Sequence, residues 1–253
     1  MRIIADENIP QVNEAFSKFG DITLTAGRSI TKDSLKDADV LLVRSITKVN
    51  KELLEGTKLK FVATATIGTD HIDKEYLESQ NIFFADAAGC NAYSVAEYVM
   101  CAIMHLYTNT NQSSKDKTIG VIGYWNVWTK VEKYAEALGL KTLINDPPLQ
   151  RKSGEQFFCT LDEALEADIV SFHVPLNKTG VDKTVHLLNE KNINRIKRDA
   201  ILINSARGPV VDNNILFKRI KEKNDLLTVL DVWENEPALN RELLNLVNIG
   251  TPH

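Results

Sequence analysis

Thr118-Ile-Gly-Val-Ile-Gly-Tyr-Trp-Asn-Val-Trp-Thr-Lys-Val-Glu132 sets the frame for the whole chain. An apolar run, a glycine turn and a helical pattern follow one another there, and Thr142-Leu-Ile-Asn-Asp146 then adds a second apolar run that ends in an acid. That order of elements belongs to a dinucleotide-binding βαβ unit. In its G-x-G-x-x-G fingerprint the first glycine makes the turn, the second lets backbone approach a pyrophosphate, and the third lets helix and strand pack closely. Gly123 holds the first of these positions, while Trp125 and Trp128 hold the other two. The helix is marked by apolar residues at Val127, Val131, Ala135 and Leu138, and Gly139 is its expected stop.

Working outward, short β-rich runs alternate with helical patterns along the whole chain. Strands are expected at residues 2–5, 22–25, 40–43, 61–65 and 82–85, with helices over 11–19 and 73–78 among the segments between them. Ser94 is the expected cap of a helix running from Val95 to about Tyr107. Residues 108–117, Thr-Asn-Thr-Asn-Gln-Ser-Ser-Lys-Asp-Lys, are almost without apolar side chains and mark a domain boundary. After them the alternation resumes, with strands expected at 118–123, 141–145, 169–174, 201–205, 227–232 and 248–250. Such alternation predicts an α/β protein with parallel sheets in two domains, residues 1–110 and 111–253.

Composition narrows the partners. The chain has 253 residues, 43% of them hydrophobic and 25% charged, enough for two domains with separate cores. A formal charge of -4 with no long basic block gives no sign of a nucleic-acid or membrane surface. Cys90, Cys101 and Cys159 fit neither a zinc spacing nor a disulfide framework and imply a reducing compartment. The opening Met1-Arg-Ile-Ile-Ala-Asp-Glu-Asn8 lacks the apolar core of an export signal, so a cytoplasmic location is expected.

Three further segments follow apolar runs: Asn204-Ser-Ala-Arg207-Gly-Pro-Val-Val-Asp212, Leu230-Asp231-Val-Trp-Glu-Asn-Glu236-Pro237 and Gly250-Thr-Pro-His253. Ligands of open α/β sheets bind outside the carboxyl ends of the strands, where an Arg, an acid and a His could converge. With the turn at Gly123, these segments resemble the D-isomer-specific 2-hydroxyacid dehydrogenases. Leu42-Val-Arg-Ser-Ile-Thr-Lys-Val-Asn50, Asn145-Asp-Pro-Pro148, Phe172-His-Val-Pro-Leu-Asn-Lys-Thr-Gly180 and Lys183-Thr-Val-His-Leu187 narrow the likeness to members that act on a phosphorylated four-carbon 2-hydroxy acid. The resemblance covers essentially the whole chain.

What it implies is a flavodoxin-like substrate domain followed by an NAD-binding Rossmann domain, and an NAD-dependent oxidation of a small phosphorylated 2-hydroxy acid. Catalysis would fall to Arg207, Glu236 and His253. Arg207 offers a planar cationic fork for the substrate carboxylate and C2 oxygen; His253 would exchange the hydroxyl proton, and Glu236 would orient that ring. NAD would meet Gly123, Asp146, Pro175, Ala206, Arg207 and Asp231, with Asp146 accepting from the ribose hydroxyls and disfavouring a 2′-phosphate. Ser45 and Thr66 would contact the substrate; Arg44 and Lys48 are candidate phosphate contacts by composition alone, with plain surface solvation the stronger alternative. His71, His105, His173 and His186 lack metal-ligand spacing and are expected to be structural, with no metal.

Two departures from the family pattern support a second reading. Family members continue beyond Thr-Pro-His into further contacts, a helix returning to the first domain and, in these members, a C-terminal dimerisation domain, so the homodimer expected of the family would lack its dimerisation domain here. An indole buries about 150–250 Å², and Trp125 and Trp128 stand where the fingerprint needs bare backbone. The second reading is therefore a catalytically silent, truncated relic or binding protein of the family whose own indoles fill the dinucleotide crevice.

Overall fold

The computed structural model describes residues 1–66, 68–124 and 127–252, with the backbone alone at Trp128. The chain divides into two compact units, Met1–Cys90 and Asn91–His253. Each unit is built on its own parallel sheet.

In the first unit the strands are β1 (Arg2–Asp6), β2 (Asp21–Thr25), β3 (Val40–Val43), β4 (Phe61–Thr64) and β5 (Phe83–Asp86). They lie in the order β2-β1-β3-β4-β5, the flavodoxin-like arrangement, with every pairing parallel. Alternate side chains of a strand face opposite sides, so a sheet covered on both faces needs an unbroken apolar run. Strand β3 is buried at all four residues. Its Leu41 and Val43 join Ile4, Val62, Leu54 and Leu77 on one side, and Val40 and Leu42 join Ile3, Ala5 and Val12 on the other. The helix expected over 11–19 is shorter, Val12–Phe16, and tightens into a 3-10 turn at Ser17–Phe19.

The second unit opens with the helix Ala92–Asn109. Ser94 lies inside its first turn and caps nothing; Ala92, only 3% exposed, is drawn into the core and carries the helix start back to Asn91. Then come β6 (Thr118–Ile122), β7 (Lys141–Asn145), β8 (Ile169–Phe172), β9 (Ala200–Asn204), β10 (Leu226–Leu230) and β11 (Ile249–Gly250), ordered β11-β10-β9-β8-β6-β7. Phe158 adds a single parallel bridge to Ile144 on the outer side of β7. Counted as a vestigial strand, it completes the 3-2-1-4-5-6 order of a dinucleotide-binding domain, with the switch point between β6 and β8 and with β11 a seventh strand beyond β10.

The fingerprint helix runs Trp128–Ala137 and buries Val131 and Ala135 completely. It closes as expected at Gly139, whose N–H bonds the Glu136 carbonyl while the Leu140 N–H reaches back to Ala135, a Schellman stop. That helix and Ala92–Asn109 cover one face of the sheet; Leu165, Leu216, Ile220 and Leu243 cover the other. Among the described residues no helix is long and apolar enough to cross a membrane.

Candidate functional site

The carboxyl ends of β6, β7, β8, β9 and β10 carry, in turn, Gly123, Asp146, Pro175, Arg207 and Asp231. Gly123 leaves β6 at φ 102°, and a Cβ there would lie 2.8 Å from the His173 carbonyl group. Both facts demand glycine, because an L side chain neither adopts that backbone readily nor fits the gap. The Gly123 N–H bonds the Asn145 carbonyl at 2.8 Å, and the next N–H, of Tyr124, bonds Asp146 Oδ2 at 2.7 Å. Asp146 Oδ1 caps the helix Pro147–Ser153 through Leu149 N–H at 2.9 Å. Its carboxylate thus ties the glycine turn to the end of β7 with one bond per oxygen, and each oxygen keeps a second lone pair for a ribose hydroxyl.

Beside this turn the Tyr124 ring meets Phe157 and Phe158 edge-on, at centroid distances of 5.9 and 6.1 Å. Burial, with the Glu132 carboxylate, pushes the Tyr124 phenol up. Trp125 and the indole of Trp128 lie outside the described residues, and so does the proposed occlusion of the crevice.

After β8, Ser171 Oγ and His173 Nε2 are 2.9 Å apart, and burial drives the His173 imidazole down to about 4. That ring is neutral at physiological pH. The Pro175 carbonyl accepts from Thr184 Oγ1, which in turn accepts from Asn177 N–H, so this loop closes on itself before the chain reaches His186.

Arg207 follows β9 on a turn that the fully buried Asn204 organises. Its amide nitrogen bonds the Arg207 carbonyl at 3.0 Å and its oxygen accepts from Ala206 N–H at 3.1 Å. Arg207 Nη1 donates to the Ala206 carbonyl at 2.7 Å, which turns the half-buried guanidinium back over its own strand end. Gly208 then passes so close to the neighbouring loop that a Cβ would stand 1.9 Å from the Trp233 carbonyl oxygen. That neighbouring loop carries Glu236, whose Oε1 accepts from Trp233 N–H at 2.8 Å.

The last described residues are anchored to the same loop. Thr251 bonds the Leu230 carbonyl through its N–H, Asp231 Oδ1 through its hydroxyl and the Trp233 indole through its carbonyl. The Tyr98 hydroxyl adds a contact at 2.8 Å from the helix Ala92–Asn109. Burial pushes the Tyr98 phenol up, against the Thr251 bond and with help from Asp231. The structure therefore brings Arg207, Glu236 and Asp231 onto two adjoining loops, with Thr251 fixed among them. His253 lies outside the described residues.

In the first unit Ser45 and Thr66 sit just past the carboxyl ends of the paired strands β3 and β4. Ser45 is exposed, as are Arg44 and Lys48. The Thr66 hydroxyl lies 2.7 Å from Thr64 Oγ1 and donates to the Gly68 carbonyl, and Thr64 also meets His71 Nε2 at 3.1 Å. His105 meets Asn109 on an exposed helix turn.

Sequence reading missed one cluster. His186, Asp212 and Glu234 offer ligand atoms all within 4.8 Å of one another. The carboxylates are already engaged: Asp212 Oδ1 caps the helix Asn213–Lys223, and Glu234 accepts from His186 and from Asn213 N–H. Asp212 and Glu234 both stand within conspicuous motifs, but nothing local in the sequence pairs either with His186. Thr251 was missed for a similar reason, being a small residue whose partners come from two other segments, residues 230–233 and the helix of Tyr98.

A sequence model of the D-isomer specific 2-hydroxyacid dehydrogenase NAD binding domain matches residues 103–253. The chain is 48% identical to an erythronate-4-phosphate dehydrogenase of Salmonella arizonae, over its full length and 67% of that protein's. It is 49% identical, with the same coverage, to the enzyme of that name from Salmonella paratyphi B. Among solved structures, the whole chain superposes on a D-lactate dehydrogenase from Aquifex aeolicus complexed with NAD and lactic acid, at TM-score 0.80, 28% identity and 88% of that chain. An NAD+-bound 3-phosphoglycerate dehydrogenase of Entamoeba histolytica shares the fold at TM-score 0.82 and 24% identity, over the whole chain and 86% of its own.

Proposed function

The chain belongs to the D-isomer specific 2-hydroxyacid dehydrogenases, and from that premise we propose that it oxidises 4-phosphoerythronate at the 2-hydroxyl with NAD, in the synthesis of pyridoxal phosphate. The substrate follows from relatives that match the chain from end to end. The reaction class rests above all on one observation, the Arg207 turn seated without clearance on the loop of Glu236 at the ends of β9 and β10. We assign NAD to the second unit and the substrate contacts Ser45 and Thr66 to the first.

The glycine turn fits the cofactor. Gly123 has the conformation and the missing Cβ that the first fingerprint position requires, and Asp146 stands at the end of β7 with lone pairs to spare. Pro175, Ala206 and Asp231, at the ends of β8, β9 and β10, would complete its lining. When bound, NAD supplies a nicotinamide ring able to take up a hydride.

The chain's own groups do the rest. Arg207 provides a permanent cation for the substrate carboxylate and for the C2 oxygen as it becomes a carbonyl. His253 takes the hydroxyl proton at a ring nitrogen as the C2–H bond breaks, and Glu236 stabilises the imidazolium that results. Mixing the protein with NAD and 4-phosphoerythronate should produce NADH, and Arg207→Ala should lower kcat/KM by about 10²–10³-fold. A protein that forms NADH faster from D-lactate than from the phosphorylated acid would overturn the substrate assignment.

The identities of residues 125 and 128 favour one competing reading, a silent binding protein whose indoles occupy the crevice. It differs in its first measurable step, the binding of NADH.

A further inference from the structure

Between the Arg207 turn and the Glu236 loop stands the trio His186, Asp212 and Glu234, which takes no part in the chemistry above. His186 Nε2 donates to Glu234 Oε1 at 2.6 Å, and His186 Nδ1 faces Asp212 Oδ2 at 3.7 Å. The other oxygen of Glu234 accepts from Asn213 N–H at 2.9 Å, while Glu234 N–H donates to Asn213 Oδ1 at 3.2 Å, a reciprocal pair around a buried asparagine. The His186 segment is itself laced to the Arg207 turn: His186 N–H bonds the Pro209 carbonyl, Leu188 N–H the Val210 carbonyl, and Asp212 N–H the Leu188 carbonyl. Three stretches distant in sequence, 186–188, 207–213 and 231–236, meet here.

His186 also sits at φ 51°, a left-handed conformation that costs a residue with a Cβ free energy and persists only where its surroundings over-determine it. Glu234 and Asp212 keep only 16% and 19% of their side-chain surface exposed. A partly desolvated carboxylate that accepts both a backbone N–H and an imidazole is held much more firmly than a surface ion pair.

We propose that Glu234 and His186 are positioning residues, forming a clasp that holds the Arg207 turn in register with the Glu236 loop. Neither touches the reacting atoms. They act through Arg207 and Glu236, whose separation they set, and a misplacement of about 1 Å in such a pair can cost roughly a hundredfold in rate. The catalytic half of the proposal rests on the dehydrogenase reading; the structural half does not.

The test uses the full chain, as wild type, Glu234→Ala, Glu234→Gln and His186→Ala. Amide hydrogen exchange should speed up roughly tenfold in Glu234→Ala at Val210, Val211 and Asp212 and, together with them, at Trp233 and Glu234, while β9 and β10 keep their protection. Glu234→Gln retains an oxygen for Asn213 N–H and should restore most of that protection. His186→Ala should loosen the same amides by a smaller factor. With NAD and 4-phosphoerythronate, Glu234→Ala should lose kcat by about tenfold or more and keep its KM for NAD within about twofold.

Exchange that rises on one loop only, or that spreads through β9 and β10, would overturn the clasp, and so would an unchanged kcat in a protein that turns the substrate over. If the wild type forms no NADH at all, the function reading has failed, and the coupled exchange of the two loops still decides whether the clasp exists.

Discussion

Arg207 is useful only if its neighbour is glycine. A methyl group at position 208 would stand 1.9 Å from the Trp233 oxygen, and both partners are backbone, so the turn and the loop would have to part. Gly208→Ala is therefore expected to cost about 1–3 kcal/mol of stability, the usual range for overpacking, and to lower kcat more than the KM for NAD. Denaturant melts and initial rates check both. His173 supports a second prediction. Its ring titrates near 4 in the folded chain and near 6.5 when unfolded, so only the unfolded chain gains this proton as pH falls through that window. Stability is full above about 6.5 and declines towards 4, by at most about 2 kcal/mol between pH 7 and 5. His173→Asn should flatten that slope in urea melts at the two pH values. Residue types after buried strands marked Arg207, Glu236 and Asp146 as candidates, and Asp146 also has a structural use, as the cap of the helix Pro147–Ser153. Gly208's role was hidden, since the backbone it touches lies far along the chain.

Strands were the most legible elements, because a parallel sheet covered on both faces requires continuous apolar runs and the chain supplies them. All eleven named strands lie on segments that the pattern marks. The bridge at Phe158 escaped, as one residue has no period to detect. Helix starts were less legible: the choice between Asn91 and Ser94 is made by burial of Ala92, a tertiary fact that local capping rules do not contain. The amino ends of β6 and β8 show a tie of the same hidden kind. Asp168 Oδ2 accepts from both the N–H and the hydroxyl of Thr118, at 2.9 and 2.8 Å, and the Asp168 N–H returns a bond to that hydroxyl. Burial alone would raise this carboxyl; the Thr118 bonds, with Lys197 and Lys117, outweigh it and hold it below its ordinary value. Its contribution is present at neutral pH and is lost as pH falls through that lowered value. Asp168→Asn should cost about 1–3 kcal/mol near pH 7, and the gap between variant and wild type should narrow in melts taken at progressively lower pH.

At the scale of the molecule, two α/β units of different strand order and the match across the whole chain fix the ancestry, and Trp125 and Trp128 depart from its fingerprint. The two readings of Trp125 and Trp128 make opposite predictions for one equilibrium. If the crevice accepts NAD as Gly123 and Asp146 suggest, calorimetric titration should give NADH a dissociation constant in the micromolar range, about −8 kcal/mol, and replacing both tryptophans by glycine should change it little. If indoles fill the crevice, the ligand must displace surface already buried, at roughly 25 cal/mol per Å² over about 150–250 Å² for each ring. That is several kcal/mol, enough to weaken binding by two orders of magnitude or more. Trp125→Gly with Trp128→Gly would then recover tight binding. The same titration with NADPH tests Asp146 under either outcome, because a carboxylate at the ribose should repel a 2′-phosphate. Asp146→Asn should raise NADPH affinity relative to NADH while weakening the tie from Asp146 to Tyr124. A double glycine variant that binds no better than a weakly binding wild type would remove occlusion as the cause. The defect would then lie in the turn itself, where Gly123 is the only fingerprint glycine left to shape it.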